Sequence, residues 1–250
     1  QIKKLEKEGK EQEVKEKIAP LVIDWAKYCV DATGSTIEVT GIENVPADKS
    51  VVYIGNHQGI FDISMMRPVP NLALLAPASS AELYSSLEWA VNQKLSVVIR
   101  YPKMSCPQEE DEFLLPIEIG RGVLLKQKTQ DKNSDTLFVC TGGIFSEVKK
   151  SVEILSQGFE NEKINCDIYN LRFLKPLDKE YFLQIVKPYK YIIFVEDGIR
   201  IGGIGTYLES LLQRSYVGKK TAVCGFPDRF VPQGKRQDIL ESVHLSPEFL

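Results

Sequence analysis

This chain is poor in the residues that build metal centres and disulfide scaffolds. Among its 250 residues only His57 and His244 are histidines, which excludes a histidine-rich metal site. Its five cysteines (Cys29, Cys106, Cys140, Cys166 and Cys224) are scattered, with no C-x-x-C pair, and their odd number does not make a disulfide framework. That usage suits a reducing compartment, so the expected location is the cytoplasm. No apolar run approaches the ~18 residues of a membrane span, and nothing reads as a secretory signal. Neither charge sign dominates. The 31 Lys and Arg against 34 Asp and Glu leave a net charge of −3, which gives no whole-chain attraction to nucleic acid. The first residue is Gln1 rather than Met, which suggests a fragment.

What is present is a globular composition, 43% hydrophobic and 26% charged. Residues 1–17 alternate Lys and Glu and read as a solvated helix. Ile18, Leu21, Val22, Trp25, Tyr28 and Cys29 recur at helical spacing, and Gly34 stops that helix. Strands are expected at 36–41 and 51–54, and again at Leu72–Ala76 and Ser96–Arg100. Ser79 or Ser80 can cap a helix running through Leu83, Leu87, Trp89 and Val91. Residues 101–116 bring three prolines and four consecutive acids, and that shift marks a linker. Beyond it, strands are expected at 121–126, 136–141, 164–169, 190–196 and 220–224. Helices are expected near 144–157, 178–187 and 204–215. Such alternation predicts an α/β fold with a mostly parallel sheet covered on both faces.

The chemistry concentrates around His57. The run Asn56-His57-Gln58-Gly59-Ile60-Phe61-Asp62 is an N-H-x4-D pattern, preceded by Trp25-Ala26-Lys27 and Gly41-Ile42-Glu43-Asn44-Val45-Pro46. A carboxylate that fixes a histidine's tautomer makes it a useful general base. Residues 1–62 resemble the N-terminal part of the 1-acylglycerol-3-phosphate acyltransferases. There the resemblance makes His57 the base toward a glycerol-phosphate hydroxyl and Asp62 its orienter. The arginine block and Pro-Glu-Gly block of that family do not follow.

From His57 onward a second set of motifs runs in order. It includes Arg67-Pro68-Val69-Pro70-Asn71, Ala81-Glu82-Leu83, Ile99-Arg100-Tyr101-Pro102 and Arg172-Phe173-Leu174-Lys175-Pro176. Val195-Glu196-Asp197-Gly198, Gly202-Gly203-Ile204-Gly205 and Gly225-Phe226-Pro227-Asp228 follow. Residues 57–250 resemble the C-terminal part of the 1-deoxy-D-xylulose-5-phosphate synthases of the transketolase superfamily. The resemblance implies a partial pyrimidine-binding-type domain followed by a transketolase C-terminal-type domain with a mostly parallel five-stranded sheet. It also implies thiamine diphosphate and Mg²⁺ as cofactors, with no binding residues for them in this chain. Their diphosphate-binding domain is expected to precede this region and to be missing. His57 and Arg100 would hold the phosphate of glyceraldehyde 3-phosphate. A salt bridge from Arg100 to the acids at 109–112 is the other reading of that residue. The glycines at 202–205 read as a tight turn, and Glu196-Asp197 as a turn as well.

The expected organisation is an acyltransferase-like head at 1–56, half a pyrimidine-binding domain at 57–104, a linker at 105–116 and a C-terminal domain at 117–250. In this composite the strand at 51–54 has no natural neighbour in the tail's sheet. The expected function is that of a synthase fragment, inactive alone. The alternatives are an acyltransferase of phospholipid synthesis and a non-catalytic interaction domain. The resemblance implies a homodimer, for which Tyr207, Leu208, Leu211 and Leu212 are candidate contacts.

Overall fold

The computed structural model describes residue 24, residues 66–101, 110–127, 134–158, 163–216, 218–229, 231 and 234–250, and the backbone alone of 52–57 and 102. Apart from residue 24, these lie in one compact unit, Asp48–Leu250. Apart from residue 24, the helix expected from Ile18 falls outside the described residues, as do the strand at 36–41 and Asp62.

Two sheets form the frame. The first contains β1 (Val52–His57), β2 (Leu72–Leu75), β3 (Ser96–Pro102) and β7 (Phe173–Lys175) in the order β1-β3-β2-β7. β1 and β2 both run parallel to β3, while β7 is antiparallel to β2. Helix α1 (Ser80–Val91) links β2 to β3. Its cap is Ser79, whose side chain accepts from the Glu82 N–H as the sequence leads one to expect. Leu83, Leu87 and Ala90 pack against Ala73, Leu75, Val97 and Ile99 on one face of this sheet.

The second sheet has five strands: β4 (Val123–Leu125), β5 (Thr136–Thr141), β6 (Cys166–Leu171), β8 (Tyr191–Ile199) and β9 (Lys220–Phe226). Their order is β4-β6-β5-β8-β9, and only β4 is antiparallel to its neighbour. Alternation along β5 sorts the two faces. Leu137 and Val139 face α3 (Lys179–Val186) and α4 (Ile204–Ser215) through Phe182, Val186, Leu208 and Leu212. Phe138 and Cys140 face α2 (Phe145–Gln157) and α5 (Arg236–Ser242) through Phe145, Val148 and Leu240. The first face also contains Leu74 and Ala76, so the two sheets share a core.

Four expectations need correction. β1 pairs with β3 over six positions, from Val52 opposite Val97 to His57 opposite Pro102, so the early strand does have a neighbour. Glu196 and Asp197 are buried inside β8 rather than in a turn, because the strand continues past Val195 to Ile199. Leu208 and Leu212 are 0% and 1% exposed beneath their own sheet, so they are not dimer contacts. The linker's second half is docked: a 3-10 turn at Asp111–Leu114 buries Phe113 against Phe145, with ring centroids 4.9 Å apart. β7 and α5 were not anticipated, being too short for periodicity to register.

Candidate functional site

In a parallel sheet, ligands sit beyond the carboxyl ends of the strands where the strand order reverses. Here β5 connects through α2 to β6 on one side, while β8 lies on the other side of β5. The reversal therefore falls between β5 and β8. Beyond Cys140 of β5 comes Thr141-Gly142-Gly143, and beyond Val195 of β8 come Glu196 and Asp197. The ends of β1 and β3 in the first sheet carry His57 and Arg100.

Arg100 and Asp197 meet there. Arg100 NH1 donates to Asp197 Oδ1 at 2.8 Å, and NH2 donates to the Asp197 carbonyl at 3.0 Å. The side chains are 3% and 1% exposed. Thr141 Oγ1 donates to the same Oδ1 at 3.1 Å. Gly143 makes room for the carboxylate, since a Cβ there would stand 2.0 Å from Asp197 Oδ2. Arg100 thus forms a salt bridge, but to Asp197; Glu110, one of the acids first considered for it, pairs with Lys149. His57 is opposite Pro102, two residues along from Gly55, which is opposite Arg100. Its side chain lies outside the described residues.

A second carboxylate occupies the start of α4. Glu196 Oε2 accepts from the Ile204 N–H and Oε1 from the Gly205 N–H, both at 3.0 Å. A helix N-terminus is suited to an anion, and this chain fills it with its own side chain. A Cβ at Gly203 would stand 2.3 Å from Glu196 Oε1, so glycine is needed for the approach. Burial pushes the Glu196 carboxyl up to about 7, against the pull of the Gly205 and Ile204 amides. Arg67 lies alongside, donating to the Gly203 carbonyl at 3.2 Å with its guanidinium 4.6 Å from the Tyr207 ring centre. Burial lowers its pKa.

A third polar knot ties the sheets together. Glu82 accepts from Arg172 Nε at 2.6 Å, from Asn170 Nδ2 at 3.0 Å and from the Ala78 N–H at 2.7 Å. Arg172 also donates to the carbonyls of Glu112, Phe113, Leu115 and Pro116, so it is a packing and pairing residue. A surface cleft of about 600 Å³ lies elsewhere, lined by Glu147, Lys150, Arg236 and Leu240, and includes none of the Arg100 cluster.

The sequence reading found Arg100 and missed its partners. The signal for Thr141 was available: a Thr-Gly-Gly directly after an apolar strand. Asp197 was visible as part of an acid pair, yet its partner is 97 residues away, beyond any local pattern.

Comparisons with known proteins place the chain among relatives. A family model for the transketolase pyrimidine binding domain matches residues 54–108, and one for the transketolase C-terminal domain matches residues 125–249. Curated 1-deoxy-D-xylulose-5-phosphate synthases are similar along the chain. A protein from Treponema pallidum is 39% identical over 236 residues, which cover 92% of this chain and 36% of that protein. The one from Desulfotalea psychrophila is 32% identical, covering 89% of this chain and 35% of that protein. The one from Alkaliphilus oremlandii is 33% identical over 190 residues, covering 76% of this chain and 29% of that protein. The chain spans about a third of the length of the relatives it matches. Coverage of 92% of 250 residues leaves 20 residues outside, so that match crosses position 57 into residues expected to form a separate acyltransferase-like head. Among solved structures, a split-gene transketolase in an inactive β4 tetramer has a TM-score of 0.66 at 25% identity, covering 80% of this chain and 63% of that one. The Campylobacter jejuni transketolase shares the fold, with a TM-score of 0.58 at 17% identity over 79% of this chain and 30% of that one. With one family model spanning half of its residues and a second preceding it, this chain belongs to the transketolase family.

Proposed function

We propose that this chain supplies the acceptor-phosphate side of a 1-deoxy-D-xylulose-5-phosphate synthase. That enzyme is a transferase joining pyruvate and glyceraldehyde 3-phosphate, with loss of carbon dioxide, in isoprenoid precursor synthesis. One observation carries the reading. Arg100 lies near the carboxyl end of the parallel strand β3, on the side of the sheet where ligands gather, and β1, which carries the backbone of His57, is the neighbouring strand. A guanidinium presents a planar fork that fits phosphate oxygens. The synthase relatives, which match from 76% to 92% of the chain, support the choice of substrate.

The family's chemistry calls for thiamine diphosphate and Mg²⁺, and the cofactor supplies the carbanion stabilisation. The described residues do not fit that group. No three His, Cys, Asp or Glu among them are placed to hold a metal. The glycine turn at α4 is already filled by Glu196. The part proposed for this chain is therefore binding and orienting the acceptor, with no bond-making step of its own. Self-association belongs to the same reading, and the split-gene transketolase, solved as a β4 tetramer, is its precedent.

The test has two arms. The purified chain, given pyruvate, glyceraldehyde 3-phosphate, thiamine diphosphate and Mg²⁺, is expected to form no deoxyxylulose phosphate. Product formation, with host synthase excluded, overturns that. Glyceraldehyde 3-phosphate alone is expected to bind, and Arg100→Met to abolish the binding. Equal binding by Arg100→Met removes Arg100 from the reading.

A further inference from the structure

A carboxylate beside a phosphate-gripping arginine is an electrostatic handicap, since it cancels the charge that attracts the anion. Asp197 nevertheless stands in direct contact with Arg100, from the other sheet. Its contribution is geometric. Two acceptors on one residue, carboxylate Oδ1 and the main-chain carbonyl, engage two different terminal nitrogens of the guanidinium. Two such bonds fix the plane of the fork, where one would leave it free to turn.

Asp197 is in turn held from three directions. Thr141 Oγ1 donates to the same Oδ1. Gly143 offers a surface without a Cβ where the carboxylate fits. The β8–β9 register shifts between Val195 and Ile199, so Asp197 sits where the strand leaves its regular ladder. Such irregularities re-aim side chains. Side chains from β3 and β5 thus meet on one carboxylate of β8, that of Asp197, and the aim of Arg100 is set by a residue outside its own sheet.

We infer that Asp197 is the positioning residue for Arg100, orienting its guanidinium to receive the phosphate of the acceptor, with Thr141 holding Asp197 in place. This rests on the phosphate-gripping reading of Arg100.

The test exploits opposite signs. Inorganic phosphate is titrated into the full chain and followed by phosphorus NMR, for the wild type, Arg100→Met, Asp197→Asn and Thr141→Val. If Asp197 only neutralises or clamps, removing its charge strengthens phosphate binding. If it positions, Asp197→Asn weakens binding by about tenfold, because the bond from Arg100 loses its charge assistance and holds the fork less firmly. Thr141→Val leaves every charge in place, so plain electrostatics leaves its affinity unchanged, whereas loss of the support weakens it by about threefold. Equal or tighter binding by Asp197→Asn overturns the proposal. Should Asp197→Asn fail to melt cooperatively, Thr141→Val decides alone, and wild-type affinity there overturns it. Failure of the parent reading looks different: the wild type does not bind phosphate, or Arg100→Met binds it equally, and then both fall together.

Discussion

Glu82 and Arg172, 90 residues apart in sequence, form an ion pair at 2.6 Å with side chains 0% and 3% exposed. Glu82 comes from α1 over the first sheet, and Arg172 from the bend between β6 of the second sheet and β7 of the first. Removing one partner of such a pair leaves the other charge buried. Glu82→Ala is expected to lower stability by about 3–5 kcal/mol in urea unfolding. A loss below about 1 kcal/mol would mean that the carbonyls around Arg172 satisfy it without Glu82.

Glu196 makes stability depend on pH. Its ordinary value is 4.5, and burial raises it to about 7 in the folded chain. Below the ordinary value both states hold the proton, and its stabilising contribution is fully present. As pH rises toward 7, the unfolded state releases the proton while the folded state keeps it, so that contribution is lost by the time pH passes the folded value. The wild type should lose up to about 3 kcal/mol more than Glu196→Gln between pH 4.5 and 7.5. Urea unfolding across that range checks this, and parallel profiles for the two proteins would refute it.

Phe113 separates a docked segment from a free linker. It is fully buried, edge-on to Phe145. Phe113→Ala should cost about 3–5 kcal/mol, as for other buried aromatics. A change within about 0.5 kcal/mol, typical of exposed sites, would return the segment to the status of a linker.

β1 tests whether the early part of the chain is integrated. Its parallel register with β3 runs from Val52 to His57. Amides of β1 that donate to β3 should exchange with solvent within about tenfold of those of β2. Exchange at the rate of an unstructured peptide would detach β1 and restore the composite reading of this region.

Much of the second sheet was legible because its strands are short apolar runs between turn residues. Strand 136–141 and helix 204–215 are found where they were expected. Leu208 and Leu212 of α4 were expected as dimer contacts instead, because apolar spacing does not say which surface a helix buries against. They pack on their own sheet, because a connection this short returns the helix to the strands it joins. β7 was hidden for another reason. Three residues carry no measurable period, and Phe173–Lys175 is a strand only because β2 offers it an edge.

By itself the sequence determined the α/β class, the parallel core strands and Arg100 near the carboxyl end of one of them, since these follow from local periodicity and chain order. Tertiary structure alone decided what Arg100 and Glu196 touch. Asp197 is 97 residues from Arg100, and the carboxylate of Glu196 reaches across a turn to the amides of Ile204 and Gly205. Charges removed from water must find partners nearby in space, and spatial neighbours at a sheet edge come from whichever strands the topology brings together.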